Sequence, residues 1–432
     1  MSEHVLIFGN GYYIPDRLRT WAASTGQTVS TSVLCQPEQL AKIDEPEKHA
    51  RIIALPPEAP LEEWIAYARV LHEIQPVTRI GAFSDQCQDI AAEVGLVLGI
   101  PTHSPETVRL VHDKYAMRQR LAEAGVESTP SAVVTAVAQL REFAATHGYP
   151  CVVKPLSGMA SSGVSVISEA AEAAAAFARA RASDPRAHGT DTTAQATGNP
   201  PRVVVETFLP GVQYSVESFS EHGEHQVVII TRKYSDAASL VELGHVMPAL
   251  LDPGQRNAIE AHVCRVLEAL GVRFGPTHTE IILTEAGPRV IETHLRFGGD
   301  QLWNLVTDAT GVDLVRCQWR QVIGETVLPG IRELLDDPSR APRCEAIWFA
   351  GAPSAGILVE VQGADGPQPD GVTVDLLASP GSELNGLQNS HSRLAQARAH
   401  AGTAADALAL AQQAIERLEF LVRVPNPQSE LL

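Results

Sequence analysis

Two carboxylates, Glu280 and Glu292, are the residues of this sequence whose spacing most clearly predicts joint chemistry. Alternating, β-branched runs flank the turn segment 285–288 (Glu-Ala-Gly-Pro), a pattern that is typical of a β-hairpin. If Leu283 pairs with Arg289 across this turn, Glu280 falls directly opposite Glu292. Opposed like charges destabilise a sheet, so we expect a cation between these two side chains.

The second strand of this hairpin adds further polar side chains on the same face, because successive residues of a strand alternate between faces. Glu292, His294 and Arg296 share that face. Carboxylate oxygens suit Mg²⁺, which binds through one or two carboxylates together with substrate phosphates. The face therefore favours a nucleoside triphosphate site. Alternatively, it is the solvated face of an ordinary hairpin, with Arg296 as a simple ion-pair partner.

The composition is that of a globular chain with room for two or three domains: 432 residues, 44% hydrophobic and 19% charged. A net charge of −18 argues against nucleic acid as a partner, because phosphate backbones are bound by clustered Lys and Arg. The cysteines form no Cys-x-x-Cys pair, the N-terminus resembles no secretory signal, and no apolar run is long enough to span a membrane. We therefore expect a cytoplasmic protein without a membrane partner.

Residues 1–105 alternate short apolar runs with helical patterns, which predicts a small doubly wound α/β domain. The predicted strands are 4–10, 51–55 and 79–83, and the predicted helices are 61–74 and 88–98. The first strand ends at Gly9-Asn10-Gly11, which lacks the third glycine of a dinucleotide fingerprint. We predict no NAD site there.

The next segment carries two lysines in regular structure and a loop of small residues. Residues 106–125 predict one helix that includes Lys114, residues near 137–147 predict a second helix, and residues 150–155 predict a strand that includes Lys154. The small residues of 157–163 let backbone amides approach an anion closely. Each feature has a plain alternative: a solvated helix lysine, a charge at a strand end and a hairpin turn. We interpret the polar residues 183–201 as a mobile loop without a part in the chemistry.

The remaining pattern is β-rich with a few helices. Residues 202–211, which end in Pro-Gly, 213–219 and 227–233 predict three strands, 242–248 a loop, and 255–270 a helix. From residue 331 the chain predicts the strands 346–349, 356–361 and 371–376, then an alanine-rich amphipathic helix at 403–418.

The order of these features resembles the ATP-grasp superfamily, and within it the carboxylate–amine ligases of the L-amino-acid ligase and carnosine-synthase-like group. The resemblance covers most of the chain and implies an α/β (α+β) ATP-grasp fold. It implies three parts: an N-terminal pre-ATP-grasp α/β domain at 1–105, an ATP-grasp region at 106–330 with a lid at about 130–205, and a C-terminal β-rich subdomain with a closing helix at 331–432.

The resemblance also assigns roles to individual residues. Lys114 and Lys154 are similar to the lysines that hold ATP phosphates, and Gln213 stands where the family often has a ribose-binding glutamate. The predicted lid residues are Ser157, Gly158, Ser161, Ser162 and Gly163, and the predicted adenine hinge is Glu206, Thr207, Phe208 and Leu209.

Around the reacting groups, Glu280 and Glu292 match the metal-binding acids, and Arg296 matches the arginine that stabilises the transferred phosphoryl group and the tetrahedral intermediate. His294 takes the position of a metal-binding asparagine, although imidazole is a poorer ligand for Mg²⁺. Glu242 and His245 are similar to acceptor-pocket residues, with His245 alone also compatible with an ordinary loop histidine. Arg232 and Lys233 are candidates to face a substrate carboxylate.

The activity implied is ATP-dependent ligation of one amino acid's carboxylate to another's amine through an acyl phosphate, giving a dipeptide or a γ-glutamyl-type amide. ATP and Mg²⁺, with Mn²⁺ as a substitute, are the implied cofactors, and a homodimer is the implied assembly. The alternatives are a biotin-carboxylase-like or purine-biosynthetic enzyme of the same superfamily, and a catalytically inactive ATP-binding regulatory subunit. The sequence leaves open which two substrates are joined and whether the linkage is α or γ.

Overall fold

The computed structural model describes residues 3–11, 18, 20, 22–24, 26, 28–157, 161–184, 202–339, 343–364 and 366–424. The predicted mixed α/β architecture is confirmed. Gly158 of the predicted lid loop and most of the predicted mobile loop 183–201 lie outside the described residues. Among the described residues, no helix combines the length and the apolarity needed to cross a membrane.

The N-terminal part is a four-stranded parallel sheet in the order β3-β2-β1-β4. One face packs on two helices through a core that includes Phe8, Trp64 and Ile90, and the other face packs against Trp319 from a distant helix. The strand β2 was not predicted, because Ser30, Thr31 and Ser32 interrupt its apolar pattern. The elements are β1 (Glu3–Phe8), β2 (Val29–Cys35), β3 (Arg51–Ala54), α1 (Leu61–Ile74), β4 (Arg79–Ala82) and α2 (Gln88–Leu98).

Two helices, not the predicted single helix 106–125, follow this sheet: α3 (Pro105–His112) and α4 (Lys114–Glu123). The prediction of one helix was wrong because Asp113 has extended backbone angles and begins a new helix. Its side chain accepts a hydrogen bond from the Ala116 amide at 2.8 Å, which is an N-cap. The cap places Lys114 in the first turn of α4.

The predicted lid region forms a four-stranded antiparallel sheet in the order β5-β8-β6-β7, with two helices packed on one face. The helix predicted near 137–147 has those bounds. The elements are β5 (Ser131–Val134), α5 (Val137–His147), β6 (Cys151–Pro155), β7 (Ser165–Ile167), α6 (Ala173–Ala182) and β8 (Val203–Thr207).

The largest sheet is antiparallel and eight-stranded, in the order β13-β12-β9-β10-β11-β14-β18-β16. It continues across the boundary predicted at residue 331, which falls inside a helix. Its strands are β9 (Val212–Glu221), β10 (Glu224–Ser235), β11 (Glu242–Met247), β12 (Phe274–Thr284), β13 (Gly287–His294), β14 (Cys344–Gly351), β16 (Val372–Leu376) and β18 (Arg393–Ala401). The segment 242–248, predicted as a loop, is therefore mostly strand β11.

Helices cover both faces of this sheet. The helix α7 (Pro253–Ala269) packs with the hairpin core around Ile281 and Val290, whereas α8 and α10 pack around Phe219 and Ile347. The C-terminal region also forms a separate three-stranded sheet, in the order β17-β15-β19. The remaining elements are α8 (Leu302–Thr310), α9 (Leu314–Val322), α10 (Leu328–Leu335), β15 (Ala355–Gln362), β17 (Glu383–Asn385), α11 (Ala404–Glu416) and β19 (Glu419–Arg423).

Candidate active site

A cavity of about 520 Å³ lies between the lid sheet and the eight-stranded sheet. Most of the side chains singled out in the sequence line it: Lys114, Lys154, Ser161, Ser162, Glu206, Thr207, Phe208, Leu209, Gln213, Glu242, His245, Glu280, Glu292, His294 and Arg296. Two predicted lid residues do not. The Ser157 hydroxyl donates to the His112 carbonyl at 3.4 Å, and Gly163 packs so closely on Ser183 that a Cβ there would lie 2.5 Å from the Ser183 Cβ.

The hairpin places Glu280 opposite Glu292, but not by the predicted register. Ile282, rather than Leu283, pairs with Arg289, so the turn-proximal register is shifted by one residue. A β-bulge between Val290 and Glu292 absorbs one extra residue and restores the opposition of the two acids. The predicted pairing of Leu283 with Arg289 was wrong because a regular ladder was assumed.

Each of these two carboxylates has basic or amide partners. Glu280 contacts the Lys233 ammonium at 2.6 Å and the Gln213 amide at 3.3 Å. Burial would raise the pKa of Glu280, but the charge of Lys233 lowers it well below its usual range. Glu292 contacts the Lys114 ammonium at 3.0 Å, and its pKa is likewise well below the usual range although burial opposes this. Both acids are therefore ionised at neutral pH.

An acid from the loop after β4, Asp85, reaches the end of the hairpin. Its carboxylate accepts from the Arg296 Nε at 2.7 Å and lies 3.2 Å from the His294 Nδ1. The other ring nitrogen of His294 lies 3.3 Å from Glu292. Burial would lower the pKa of His294, but the Asp85 carboxylate raises it. The imidazole therefore bridges two carboxylates in the arrangement expected of a protonated ring.

The predicted hinge, residues 206–209, begins at a buried ion-pair cluster. Glu206 on β8 contacts the Lys154 ammonium at 2.8 Å and the Arg118 guanidinium at 3.0 Å. Burial would raise the pKa of Glu206, but these two cations lower it to about 2. Burial lowers the pKa of Lys154, an effect that Glu206 opposes. Glu206 thus holds the Lys154 ammonium at the cavity wall, next to the backbone of Thr207 to Leu209.

A second cluster lies at the other end of the cavity, where β11 carries Glu242 and His245. The His245 Nε2 lies 3.1 Å from Asp300 and 3.6 Å from Glu242. Arg393, from the C-terminal region, binds both Asp300 oxygens and stacks on the Phe349 ring at 3.7 Å. Burial would raise the pKa of Asp300, but its bonds to Arg393 and His245 hold it well below its usual range.

The side chains of Arg232 and Lys233 lie on opposite faces of the sheet. Lys233 is 3% exposed and its ammonium bridges Glu242 and Glu280, so it links the two ends of the cavity and is not free to face a substrate carboxylate. Arg232 points to the opposite face, between the Tyr214 and Tyr234 rings at 5.4 and 5.3 Å. The prediction that these two side chains face a substrate is not supported by their positions.

Several site residues were missed in the sequence, namely Asp85, Arg118, His278, Asp300 and Arg393, and three of them (Asp85, Arg118 and Arg393) come from segments distant from the hairpin. Only His278 carried a local signal, since it precedes Glu280 by one strand period. Its ring contacts the fully buried Glu217 and lies 3.5 Å from Glu280. Burial would lower the pKa of His278, but Glu217 raises it to about 9.

The donor set at the hairpin fits a hard divalent cation. Glu280 and Glu292 are ionised, directly opposed and only partly exposed, which is unfavourable without positive charge between or beside them. In this structure that charge comes from Lys233, Lys114 and His294. Glu242, His245 and Asp300 also offer atoms within 4.8 Å of one another, but Lys233 and Arg393 already neutralise those carboxylates.

Comparison with known proteins agrees with this architecture. Residues 147–303 match the family described as ATP-grasp domain, and residues 348–423 match the L-amino acid ligase C-terminal domain 2. The crystal structure of L-amino acid ligase from Bacillus licheniformis superposes with a TM-score of 0.79 at 19% identity, covering 98% of this chain and 99% of that chain. At that identity the likeness concerns the fold alone.

Two sequence relatives extend the comparison. An uncharacterized protein, y4rH, of Sinorhizobium fredii is 29% identical over 82% of this chain and 70% of its own length. Alanine–anticapsin ligase of Bacillus subtilis is 26% identical over 48% of this chain, and the chain spans 45% of that relative's length. The chain thus contains an ATP-grasp domain at residues 147–303, followed at residues 348–423 by a C-terminal domain of the kind found in L-amino acid ligases.

Proposed function

We propose that this protein is an ATP-dependent ligase that joins the carboxylate of one amino acid to the amine of another. The observation that carries the proposal is the pair of ionised acids, Glu280 and Glu292, held opposite each other beside Lys114. The C-terminal match to L-amino acid ligases favours this reaction over those of biotin-carboxylase-like and purine-biosynthetic relatives.

The nucleotide would lie along the lid side of the cavity. Adenine would bond the backbone of residues 206–209, and the phosphates would face Lys114 and Lys154. Mg²⁺, or Mn²⁺ in its place, would be held by Glu280 and Glu292 and would offset charge on the phosphates. His294 supports Glu292 in this proposal, because both ring nitrogens are already engaged by carboxylates. Gln213, predicted to bind ribose, would first have to leave Glu280.

The first step joins the donor amino acid to phosphate. A carboxylate oxygen of the donor attacks the γ-phosphorus, the bond to the bridging oxygen breaks, and ADP leaves. Arg296 would stabilise the transferred phosphoryl group and then the tetrahedral oxyanion. Its Nε already donates to Asp85, so the other nitrogens of the guanidinium would have to make these contacts. Closure of the lid, including Ser161 and Ser162, would exclude water that hydrolyses the acyl phosphate.

The second step forms the amide. The acceptor nitrogen attacks the acyl carbon, phosphate leaves, and the ammonium proton passes to a base. Glu242 is best placed to accept this proton, because Asp300 is bound through both oxygens by Arg393. His245 is 1% exposed and would act by holding Glu242 and Asp300 in place, without touching substrate.

The decisive experiment incubates the protein with ATP, Mg²⁺ and pairs of amino acids while phosphate release is measured and product masses are determined. We expect release above the ATP-only background for particular pairs, with a product lighter by one water than the two substrates combined. Release with bicarbonate or formate, and with no pair of amino acids, would instead identify a carboxylase-like or purine-biosynthetic enzyme. Nucleotide binding without any release would identify a regulatory subunit.

The three-part division of the chain, the cytoplasmic location and the homodimer are part of the same proposal. Sedimentation of the purified protein tests the assembly. A monomer at micromolar concentration would remove the dimer from the proposal.

A further inference from the structure

We propose that the buried pair Arg118 and Glu127 is a positioning device that holds the β-bulge of β13, and thereby sets Glu292 opposite Glu280. This inference rests on the proposed function only in taking these two acids as the metal ligands. Arg118 and Glu127 lie outside β13 but would fix the position of its bulge.

The bulge is what aligns the acids. On the turn side, Ile281 pairs with Val290, and on the other side Glu280 pairs with Glu292, so Ile291 is the additional residue. Without it, Glu280 would face Ile291, and the carboxylate of Glu292 would move by one strand position to the opposite face. A bulge leaves backbone groups outside the regular ladder, and these groups need other partners.

Arg118 supplies those partners for the carbonyls. Its guanidinium donates to the Val290 carbonyl through Nη1 and to the Ile291 carbonyl through Nη2 at 3.3 Å. Successive carbonyls of a regular strand point to opposite edges, so a single side chain can reach both only where the strand is distorted. β13 is an edge strand of its sheet, which leaves this side open to the guanidinium.

Glu127 supplies the matching acceptor. Its Oε2 accepts from the Val290 amide at 2.9 Å, and its Oε1 accepts from Arg118 at 3.2 Å. His262 on α7 lies 2.8 Å from the same carboxylate and fixes its position from the other side. Arg118 and Glu127 are 3% and 8% exposed, so water does not replace these bonds.

Arg118 also reaches the nucleotide hinge. Its Nε donates to the Glu206 carboxylate at 3.0 Å and its Nη2 to the other oxygen at 3.3 Å. Glu206 in turn holds Lys154. One planar guanidinium therefore ties the register of the metal-binding hairpin to the lysine proposed to hold phosphate. Lysine cannot reproduce this, because a single ammonium offers three donors without the fork geometry.

The test measures Mn²⁺ affinity of the full chain with saturating ADP, from the paramagnetic signal of free Mn²⁺. We expect Arg118→Lys to weaken Mn²⁺ binding at least tenfold and Glu127→Gln to weaken it severalfold. The matched control is Arg120→Ala, on the same helix, whose side chain is 39% exposed and binds Glu106. It should leave Mn²⁺ affinity unchanged. Affinity is expressed per folded molecule, so a loss of stability alone does not move it.

The Glu292→Gln variant separates this inference from the proposed function. If Glu292→Gln leaves Mn²⁺ binding unchanged, the metal assignment of the proposed function fails. If Glu292→Gln abolishes Mn²⁺ binding but Arg118→Lys and Glu127→Gln bind Mn²⁺ normally, only the positioning inference is overturned. Should Arg118→Lys not fold, Glu127→Gln decides, because its side chain keeps the shape of the original: normal Mn²⁺ affinity in that variant overturns the inference.

Discussion

At the scale of single residues, the cavity is a set of acids that are already neutralised by basic side chains. Glu292 lies with Lys114, Glu280 with Lys233, and Glu206 with Lys154. A buried carboxylate without a cation costs several kcal/mol, so these pairs keep the cavity stable before any nucleotide enters. In the proposed function, Lys114 and Lys154 would exchange a carboxylate for a phosphate without a net loss of paired charge.

Glu292→Gln should abolish turnover. The amide keeps the shape of the side chain but removes one anionic metal ligand, and we expect phosphate release to fall by about a hundredfold or more, as for the loss of a key electrostatic group. Glu285→Gln is the matched control, because Glu285 lies exposed in the turn of the same hairpin. Full phosphate release by Glu292→Gln would remove Glu292 from the proposed metal site.

Arg296→Ala should lower turnover far more than ATP affinity. Arg296 contacts Asp85 and the Phe297 carbonyl, and the proposed function assigns its guanidinium to the transferred phosphoryl group and the tetrahedral intermediate, not to the binding of ATP. Loss of an oxyanion-stabilising donor costs about 3 kcal/mol of barrier, which is roughly a hundredfold in rate. The kcat and the KM for ATP are measured at saturating amino acids. An increase in KM as large as the decrease in kcat would instead assign Arg296 to ATP binding.

The acids, the lysines and the predicted hinge could be singled out from the sequence, and they do line one cavity, because they stand in local patterns: a hairpin turn, a strand end, a period of two. The sequence did not reveal Asp85 or Arg393, although both are directly bonded to site residues. Asp85 lies in the N-terminal sheet region and meets Arg296 only in the folded chain. Spacing rules apply only to residues that are close in the chain, so one sequence alone does not indicate that Asp85 and Arg296 are in contact.

At the scale of elements, local signals predicted helices well and strands less well. The helix α5 has its predicted bounds, whereas Asp113 divided the helix predicted at 106–125, since a good N-cap can also interrupt a continuous apolar pattern. The bulge in β13 was not predictable, because it is held by Arg118 and Glu127 from elsewhere in the chain. Strand β11 was predicted as a loop because Gly244 interrupts its pattern. In the structure a glycine is needed there, because the Trp348 ring packs against its Cα.

Gly244→Ala should destabilise the sheet that carries Glu242 and His245. A Cβ at position 244 would lie 2.1 Å from the Trp348 ring on the neighbouring strand β14, and 2.9 Å from the Ile347 carbonyl. Overpacking of this kind typically costs about 1–3 kcal/mol. We expect a lower urea midpoint for unfolding, and partial recovery in the double variant Gly244→Ala/Trp348→Val. A single variant as stable as the wild type would show that the ring moves aside freely.

At the scale of the whole molecule, the site joins three regions. Asp85 comes from the loop that follows β4 of the N-terminal sheet, the hairpin and the predicted hinge come from the central region, and Arg393 comes from the C-terminal region. The eight-stranded sheet explains this, because it runs through the boundary predicted at residue 331 and places β14 and β18 beside β11. Apolar periodicity predicted strands on both sides of that boundary, but it gives no information about which strands pair.

The concentration of ionised acids that are buried or partly buried should make the protein sensitive to acid. Burial would raise the pKa of Glu206, but Arg118 and Lys154 lower it from 4.5 to about 2. A carboxyl group whose pKa is lowered on folding stabilises the protein above its unfolded pKa. That contribution is lost as the pH falls from about 4.5 toward 2, because the unfolded chain binds the proton first. For Glu206 it amounts to about 3 kcal/mol at neutral pH.

Glu206→Gln should therefore be less stable than the wild type at pH 7 and closer to it at pH 3. The amide cannot be protonated, so the variant loses the part of the acid dependence that belongs to Glu206, while Asp85, Glu280, Glu292 and Asp300 keep theirs. Urea unfolding at both pH values measures the two free energies. If the difference between wild type and variant were the same at pH 7 and pH 3, Glu206 would not be an ionised partner of Arg118 and Lys154 in the folded protein.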